Sequence, residues 1–409
     1  MVDANVIAPV ALAPSVSFAE PVPPVSFSVD ALAAGEATFD AYQAFCAEAV
    51  YAAPQDPLFV GGWTQATSAE TLVASIRQNG QPLLMVALEI ERRGSFTIAQ
   101  FPGRRHANGN FPPVRPGEAI SEGLLRALIG EIRRVRPGID IFVLERLDPE
   151  RCEVANPLLP LSTGRSPNVA LAVDLAGGFD ALLERASGKR KRKKNRSQTR
   201  KFEAGGGYRF VRADTPAETD RLMNAFFAMK HERFRQMGIA DVFADEAVRA
   251  FFRGLFRDAL DKHPSPFTLE GLEVAGRLRA VTGTSRSGNR LTCEFGAISD
   301  DEFAPSSPGD FLFFENIQQA CTDGFAIYDF GVGDEPYKRQ WCDLETHHFD
   351  VFLPVSAKGH ALALAHRGAA RLKSSVKSNA ALWQRLKRLR RFVGGKKTAQ
   401  SKSPSAEQD

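Results

Sequence analysis

The stretch Ser307–Trp341, SPGDFLFFENIQQACTDGFAIYDFGVGDEPYKRQW, holds the densest chemistry in the chain. An apolar strand, Leu291–Ile298, runs into a turn of Pro305, Ser306, Ser307, Pro308 and Gly309, and a helix follows. Pro and Gly at a helix start leave backbone N–H groups free and allow close approach to the main chain. Free amides at the positive end of the helix dipole suit a phosphate or pyrophosphate. The same residues would also serve if Ser307 merely caps the helix. Next comes Asp329-Phe330-Gly331-Val332-Gly333-Asp334-Glu335, then Tyr337 and Lys338. Two glycines permit a sharp exit from a sheet, and the ionisable groups fall where open α/β sheets place ligand sites. An acidic loop, with Tyr337 and Trp341 as packing anchors, is the competing reading. Glu294 is a charge among the apolar residues of its strand, either functional or on the solvent face of an alternating strand.

These residues need elements to position them, and hydrophobic periodicity supplies one pattern twice. In the first half, strands are predicted at Leu83–Ile90 and Ser95–Phe101, a helix at Gly117–Arg136, then strands at Ile139–Leu147 and Asn168–Leu175. In the second, a hairpin turning at Gly276 occupies Leu269–Thr282, followed by Leu291–Ile298, a helix at Pro308–Asp323, and strands at Phe325–Phe330 and His348–Leu353. The repeat is far too long for a solenoid and predicts two related α/β domains in tandem. Helices at Ala37–Ala52, Ala217–Gln236 and Asp245–Lys262 precede the strands, and a helical stretch, Phe179–Glu203, joins the halves until Gly205-Gly206-Gly207 ends it. The expected organisation is a disordered tail over 1–35, a domain over 36–178, a basic helical connector over 179–206, a second domain over 207–356, basic helices over 357–393 and a polar tail over 394–409.

The 409 residues are 44% hydrophobic, 24% charged and 9% aromatic. That composition belongs to a globular protein and excludes collagen, wholesale disorder and a disulfide-stapled miniprotein. No window reaches the ~18–20 apolar residues of a membrane span. Five scattered cysteines with no C-x-x-C pair suit a reducing cytoplasm and imply no metal site. The Ala-rich start lacks early Lys or Arg, carries Asp3 and is broken by Pro9, Pro14, Pro21, Pro23 and Pro24, so it reads as a tail rather than a secretory signal. The net charge of +4 hides an asymmetry. Lys189–Lys201 has nine basic residues and Lys358–Lys397 has twelve, neither with an acid, which leaves −17 on the rest of the chain.

The order Ser307-Pro308-Gly309, Leu312, Ile317, Ala320, Gly324, Asp329-Phe330-Gly331, Gly333-Asp334-Glu335, Tyr337-Lys338 and Trp341 resembles the C-terminal signature of the CelD-type (cellulose-biosynthesis) acetyltransferases. These belong to the GNAT superfamily and are related to FemAB-type transferases. LLERASGKRKRKKNRSQTRKFEAGG resembles the family's basic helix, and Met229–Gly238, MKHERFRQMG, its helix carrying a His and an Arg. The resemblance spans about Phe39–Leu353, the first half by layout more than by motif. It implies an α/β (α+β) fold of tandem GNAT-like domains, each a mixed central sheet flanked by helices. It also implies acyl transfer from a thioester, acetyl-CoA or another acyl-CoA, to an amine or hydroxyl of a sugar, polysaccharide precursor or small metabolite. In such folds the sheet splays, and exposed amides polarise the thioester carbonyl. The pyrophosphate would then sit at Ser307, Pro308 and Gly309. The usual Q/R-x-x-G-x-G/A loop is absent, so CoA is implied by family alone, and an aminoacyl-tRNA donor stays open.

Such chemistry needs a base and an acid. Glu294, Asp329 and Glu335 are the candidate bases, Tyr337 a proton donor, and Lys338, by resemblance, a group steadying negative charge. His231 and Arg233 on their helix, with Arg235 nearby, are candidate acceptor contacts. Arg104, Arg105 and His106, in the loop after Ser95–Phe101, could bind an anionic acceptor. Each of these could instead be structural, as Trp63 is expected to be. The tract Lys189–Lys201 has no interleaved aromatics, so specific DNA reading is not expected; a polyanion or an inner-membrane surface is the implied partner, as for Lys358–Lys397. A non-catalytic adaptor with basic arms is the third reading.

Overall fold

Apolar alternation and capping explain most of the elements of the computed structural model, which describes residues 26–365. The first half comprises β1 (Phe27–Ala33), α1 (Glu36–Cys46), α2 (Pro57–Thr67), β2 (Glu70–Gln78), β3 (Gln81–Arg93), β4 (Phe96–Gln100), α3 (Glu122–Val135), β5 (Ile141–Leu147), a two-stranded ribbon of β6 (Glu150–Arg151) and β7 (Val154–Ala155), and β8 (Gly164–Asp174). Two helices, α4 (Gly178–Arg185) and α5 (Gly188–Ala204), lead on to β9 (Tyr208–Arg212), α6 (Pro216–Met237), α7 (Glu246–Asp258), β10 (Phe267–Val274), β11 (Arg277–Ser287), β12 (Arg290–Ile298), α8 (Pro308–Thr322), β13 (Ile327–Val332) and β14 (Leu344–Pro354).

Local chemistry sets the helix limits. Ser121 caps α3 by accepting from the Leu124 amide, and Leu125, Leu128 and Ile132 then bury one face. Thr215 caps α6, with Pro216 in its first turn, and Gly238 ends it at φ 64°. Asp245 caps α7, whose buried face of Val248, Phe251, Phe252, Leu255 and Phe256 packs against α2 and α6. The β10–β11 turn falls at Ala275 and Gly276.

All but the ribbon strands join one twelve-stranded sheet, ordered β1-β2-β3-β4-β5-β14-β8-β13-β12-β11-β10-β9. The order is a palindrome of the two halves. In each, antiparallel strands lead to one that is followed by a helix and a parallel neighbour: β4 with β5, and β12 with β13. The last strands are exchanged. β8 pairs with β13 of the second half, β14 pairs with β5 of the first, and the two meet antiparallel at the centre. The halves are therefore units of one topology fused through a shared sheet.

β1 corrects the expected tail, because Phe27–Ala33 pairs with β2 along seven registered residues. The sequence reading also passed over β2, α2 and β9. Residues 1–25 and 366–409 lie outside the described residues, and with them most of the Lys358–Lys397 tract. No helix among the described residues is long and apolar enough to cross a membrane.

Candidate active site

β12 carries a bulge at its midpoint. Its register with β11 runs Thr284 to Cys293 and then Gly283 to Phe295, which leaves Glu294 as the extra residue. The bulge resets the strand's alternation. Cys293 belongs to the cluster of Phe313, Ile317 and Tyr328, whereas Phe295 packs on Phe226, 4.2 Å between centroids, in the α6–α7 cluster. Gly283 makes room for that ring, since a Cβ there would lie 2.3 Å from Phe295 Cζ.

At the same place the sheet opens. Parallel pairing of β12 with β13 is confined to Arg290–Ile327, Leu291–Tyr328 and Thr292–Asp329; beyond it β12 pairs with β11 alone, while Val332 pairs with β8. The equivalent place in the first half is filled by its own chain. After β4 and β5 part at Gln100–Val143, Asn110 bridges to Leu147, with its amide donating to the Arg146 carbonyl at 2.8 Å and its carbonyl accepting from the Asp148 amide at 3.0 Å.

Glu294 is partly buried and lines a cavity of about 10 Å³, with Asn108, Asp148, Arg151, Asp329 and His348 among its other walls. That is room for about one water. Ser285 Oγ donates to Glu294 Oε1 at 2.5 Å, and Asn108 Nδ2 donates to Oε2 at 2.9 Å and to the Glu294 carbonyl at 2.7 Å. Neutral donors hold this carboxylate, and among the described residues no ion pair does. Burial raises its pKa, against the lowering effect of the two hydrogen bonds. A buried carboxyl held this way is a stronger base than one paired with Arg.

Asp329 stands beside it with different partners. Its Oδ2 meets Arg290 Nη1 at 2.8 Å and its Oδ1 accepts from the Gly331 amide at 2.7 Å, so both oxygens are engaged in shaping the strand end. His348 is 5% exposed; burial lowers its pKa, and its Nδ1 has no partner among the described residues.

Lys338 is buried and donates to the Val332 carbonyl at 2.9 Å and the Gly331 carbonyl at 3.3 Å, with Glu335 3.1 Å away. It fastens the turn after β13, and both it and Glu335 lie outside the cavity wall. Tyr337 stacks on Phe313, 5.6 Å between centroids, and stays 40% exposed; burial of its hydroxyl raises its pKa. At the start of α8, Pro308 and Gly309 are buried, and a Cβ on Gly309 would lie 2.5 Å from Ile298 Cγ2. This glycine therefore serves packing. Gln198 on α5 donates to the Ser306 and Ser307 carbonyls at 2.8 and 3.0 Å, and Lys194 pairs with Asp310 at 2.8 Å.

Other sequence candidates lie elsewhere. His231 and Arg233 are exposed on α6, His231 paired with Asp241 at 3.2 Å. Arg104 pairs with Glu91 at 2.9 Å and with buried Glu89, which also accepts from Trp63 Nε1. His106 packs among Trp63, Phe243 and Phe252, and burial lowers its pKa to about 4. Arg105 stays exposed, and its carbonyl accepts from Arg146. None of the three lines the cavity, and His106 reaches the second half through Phe243 and Phe252. Asn108, Ser285, Asp148 and His348 were missed; only Asn108, three residues beyond Arg105 in the same loop, lay close to a flagged position.

The α5 tract is a docked helix. Lys191 Nζ lies 4.6 Å from the Trp341 ring centroid and donates to the Ala186 and Gln340 carbonyls, while Gln198 and Phe202 bury the same side. Lys189, Lys193, Arg196 and Arg200 stand exposed at helical spacing, without an ion-pair partner among the described residues.

Residues 189–339 match the family described as "Acetyltransferase (GNAT) domain". The fold is similar to that of FemX, with a TM-score of 0.54 and 12% identity over 79% of this chain and 97% of that one. Lesser likenesses include L-PGS from Bacillus licheniformis (TM-score 0.48, 11% identity, 81% and 95% covered) and a tandem GNAT protein from the clavulanic acid biosynthesis pathway (0.43, 13%, 80% and 98%). No curated protein matches the sequence. The chain thus carries, over 189–339, a stretch that matches a GNAT acetyltransferase domain, set in a fold of two halves that repeat one topology.

Proposed function

We propose that the protein is a CelD-like acyltransferase that moves an acyl group, acetyl in the simplest case, from acyl-CoA to an amine or hydroxyl of a sugar, polysaccharide precursor or small metabolite. The observation that carries this reading is the opening of the sheet beyond Thr292 and Asp329, with Glu294 on a bulge at its edge.

The residues around the opening fit an acyl-CoA by charge. The start of α8 would take its phosphates, with exposed Lys201, one turn beyond Gln198 on α5, as the cation offered to them. Acyl-CoA supplies the activated thioester carbonyl. Glu294 removes the proton from the acceptor's amine or hydroxyl, a task suited to a carboxylate whose pKa is raised by burial. Asp329, tied to Arg290 and the Gly331 amide, shapes the pocket. Tyr337, kept protonated by burial, is the group able to return a proton to a leaving sulfur. Lys338 keeps the 331–338 turn in place through two carbonyls.

Calorimetric titration with acetyl-CoA, followed by thiol release against a panel of amino sugars, polyamines and amino acids, tests the proposal. Micromolar binding and acceptor-dependent thiol release are expected, and E294Q should cut the rate about 100-fold or more with binding retained. Absence of both binding and thiol release overturns it.

The exposed cations of α5 favour a second reading, a Fem-like transferase that draws on aminoacyl-tRNA. Salt-sensitive tRNA binding that disappears when Lys189, Lys193, Arg196 and Arg200 are neutralised would support it over the first.

A further inference from the structure

We propose that Asn108 is a positioning residue that holds the Glu294 carboxylate ready to take the acceptor's proton, so that the first half of the chain completes the site of the second. The proposal rests on Glu294 being the base.

Both contacts of Asn108 Nδ2 go to one residue, the Glu294 main-chain carbonyl at 2.7 Å and its Oε2 at 2.9 Å. The amide therefore fixes the side chain relative to its own backbone, and Ser285 Oγ takes the other oxygen. A neutral donor orients a carboxylate while lowering its pKa far less than Arg or Lys would. An amide thus leaves the base strong.

The surroundings are shaped to this side chain. Gly331 has φ +68°, and a Cβ there would lie 2.9 Å from Asn108 Cγ and 3.1 Å from Oδ1. A glycine is needed both for its left-handed backbone and for the space that Asn108 fills. Asn108 is in turn held from the first half: Arg146 Nη1 donates to the Ala107 carbonyl, and Asn110 bonds along β5 through its amide and its side chain, the latter to the Glu145 carbonyl at 2.8 Å. Its neighbours select the residue type. Aspartate would set a like charge against Glu294, and glutamine is one methylene too long for a space bounded by Gly331.

The full chain with ¹³C-labelled glutamate carboxyls, assigned through E294Q, gives the titration midpoint of Glu294. The acyl-transfer rate with acetyl-CoA and the best acceptor of the panel gives the pH profile. In N108A the Glu294 midpoint should move to higher pH and the acid limb of the profile should move with it. The rate at pH 7 should fall about tenfold and recover as pH rises. N108D should move both further the same way. Should N108A fail to fold by circular dichroism, N108S carries the same readouts. A Glu294 midpoint unmoved in these variants, or a uniform loss of rate with the acid limb in place, overturns the role given to Asn108. An E294Q protein with full activity instead overturns the reading of Glu294 as base, whatever Asn108 does to its midpoint.

Discussion

Arg290 and Asp329 clasp the sheet where it parts: the guanidinium reaches from the first paired rung of β12 and β13 to the carboxylate on the last, 2.8 Å away. Both side chains are largely buried, at 16% and 10% exposure. R290M leaves a buried carboxylate without its cation and should cost about 3 kcal/mol in urea unfolding. R290M with D329N should recover much of that loss. A double variant that costs the sum of the R290M and D329N costs would show that the pair does not couple.

Glu294 should make the protein less stable as pH rises above the ordinary carboxylate range. Its folded pKa lies above the unfolded value, so its contribution is full below the unfolded pKa and is lost as pH rises through the folded pKa. E294Q, neutral throughout, should remove this loss. Unfolding free energies at pH 5 and pH 8 should converge in E294Q relative to wild type, and an unchanged difference would contradict the buried, basic carboxylate.

Gly283 should tolerate no side chain. G283A sets a Cβ against the Phe295 ring in the middle of the α6–α7 cluster, and overpacking of this kind costs about 2 kcal/mol. A fall in the melting temperature is expected, together with slower acyl transfer, because Phe295 adjoins the bulge residue. G283A with F295L should regain stability.

The two faces of α5 should separate. K191A removes an ammonium stacked on Trp341 and leaves the Gln340 carbonyl without its donor, a loss of about 2 kcal/mol. Neutralising Lys189, Lys193, Arg196 and Arg200 together should shift stability by under about 0.5 kcal/mol per residue and weaken retention on a heparin column. Equal losses of stability from both changes would mean that the outer face is structural too.

Much of this arrangement could be read from the sequence where the signal was local. The β10–β11 hairpin at Gly276, the start of α8 at Pro308 and the repeat of strands and helices all follow from periodicity and turn residues. Glu294 stood out because a carboxylate among apolar strand residues needs a partner or a task. What escaped was long-range. Periodicity marks a strand without naming its neighbour, so the exchange of β8 and β14 was hidden. The bulge depends on Phe295 choosing the α6–α7 cluster, and Asn108 meets Glu294 across 186 residues of chain. The Tyr337–Lys338 pair looked chemical, yet the lysine is held by two carbonyls. Arg104 and His106 looked like ligand groups because neither Glu89 nor the aromatic walls around the imidazole adjoin them in sequence.

The segment around Asn110 that occupies the gap between β4 and β5 bears on stoichiometry. Two copies of one architecture would ordinarily offer two berths for a donor, and one berth here is already taken by covalently attached backbone. A titration should therefore saturate at a single equivalent per polypeptide, with no cooperativity between halves to fit.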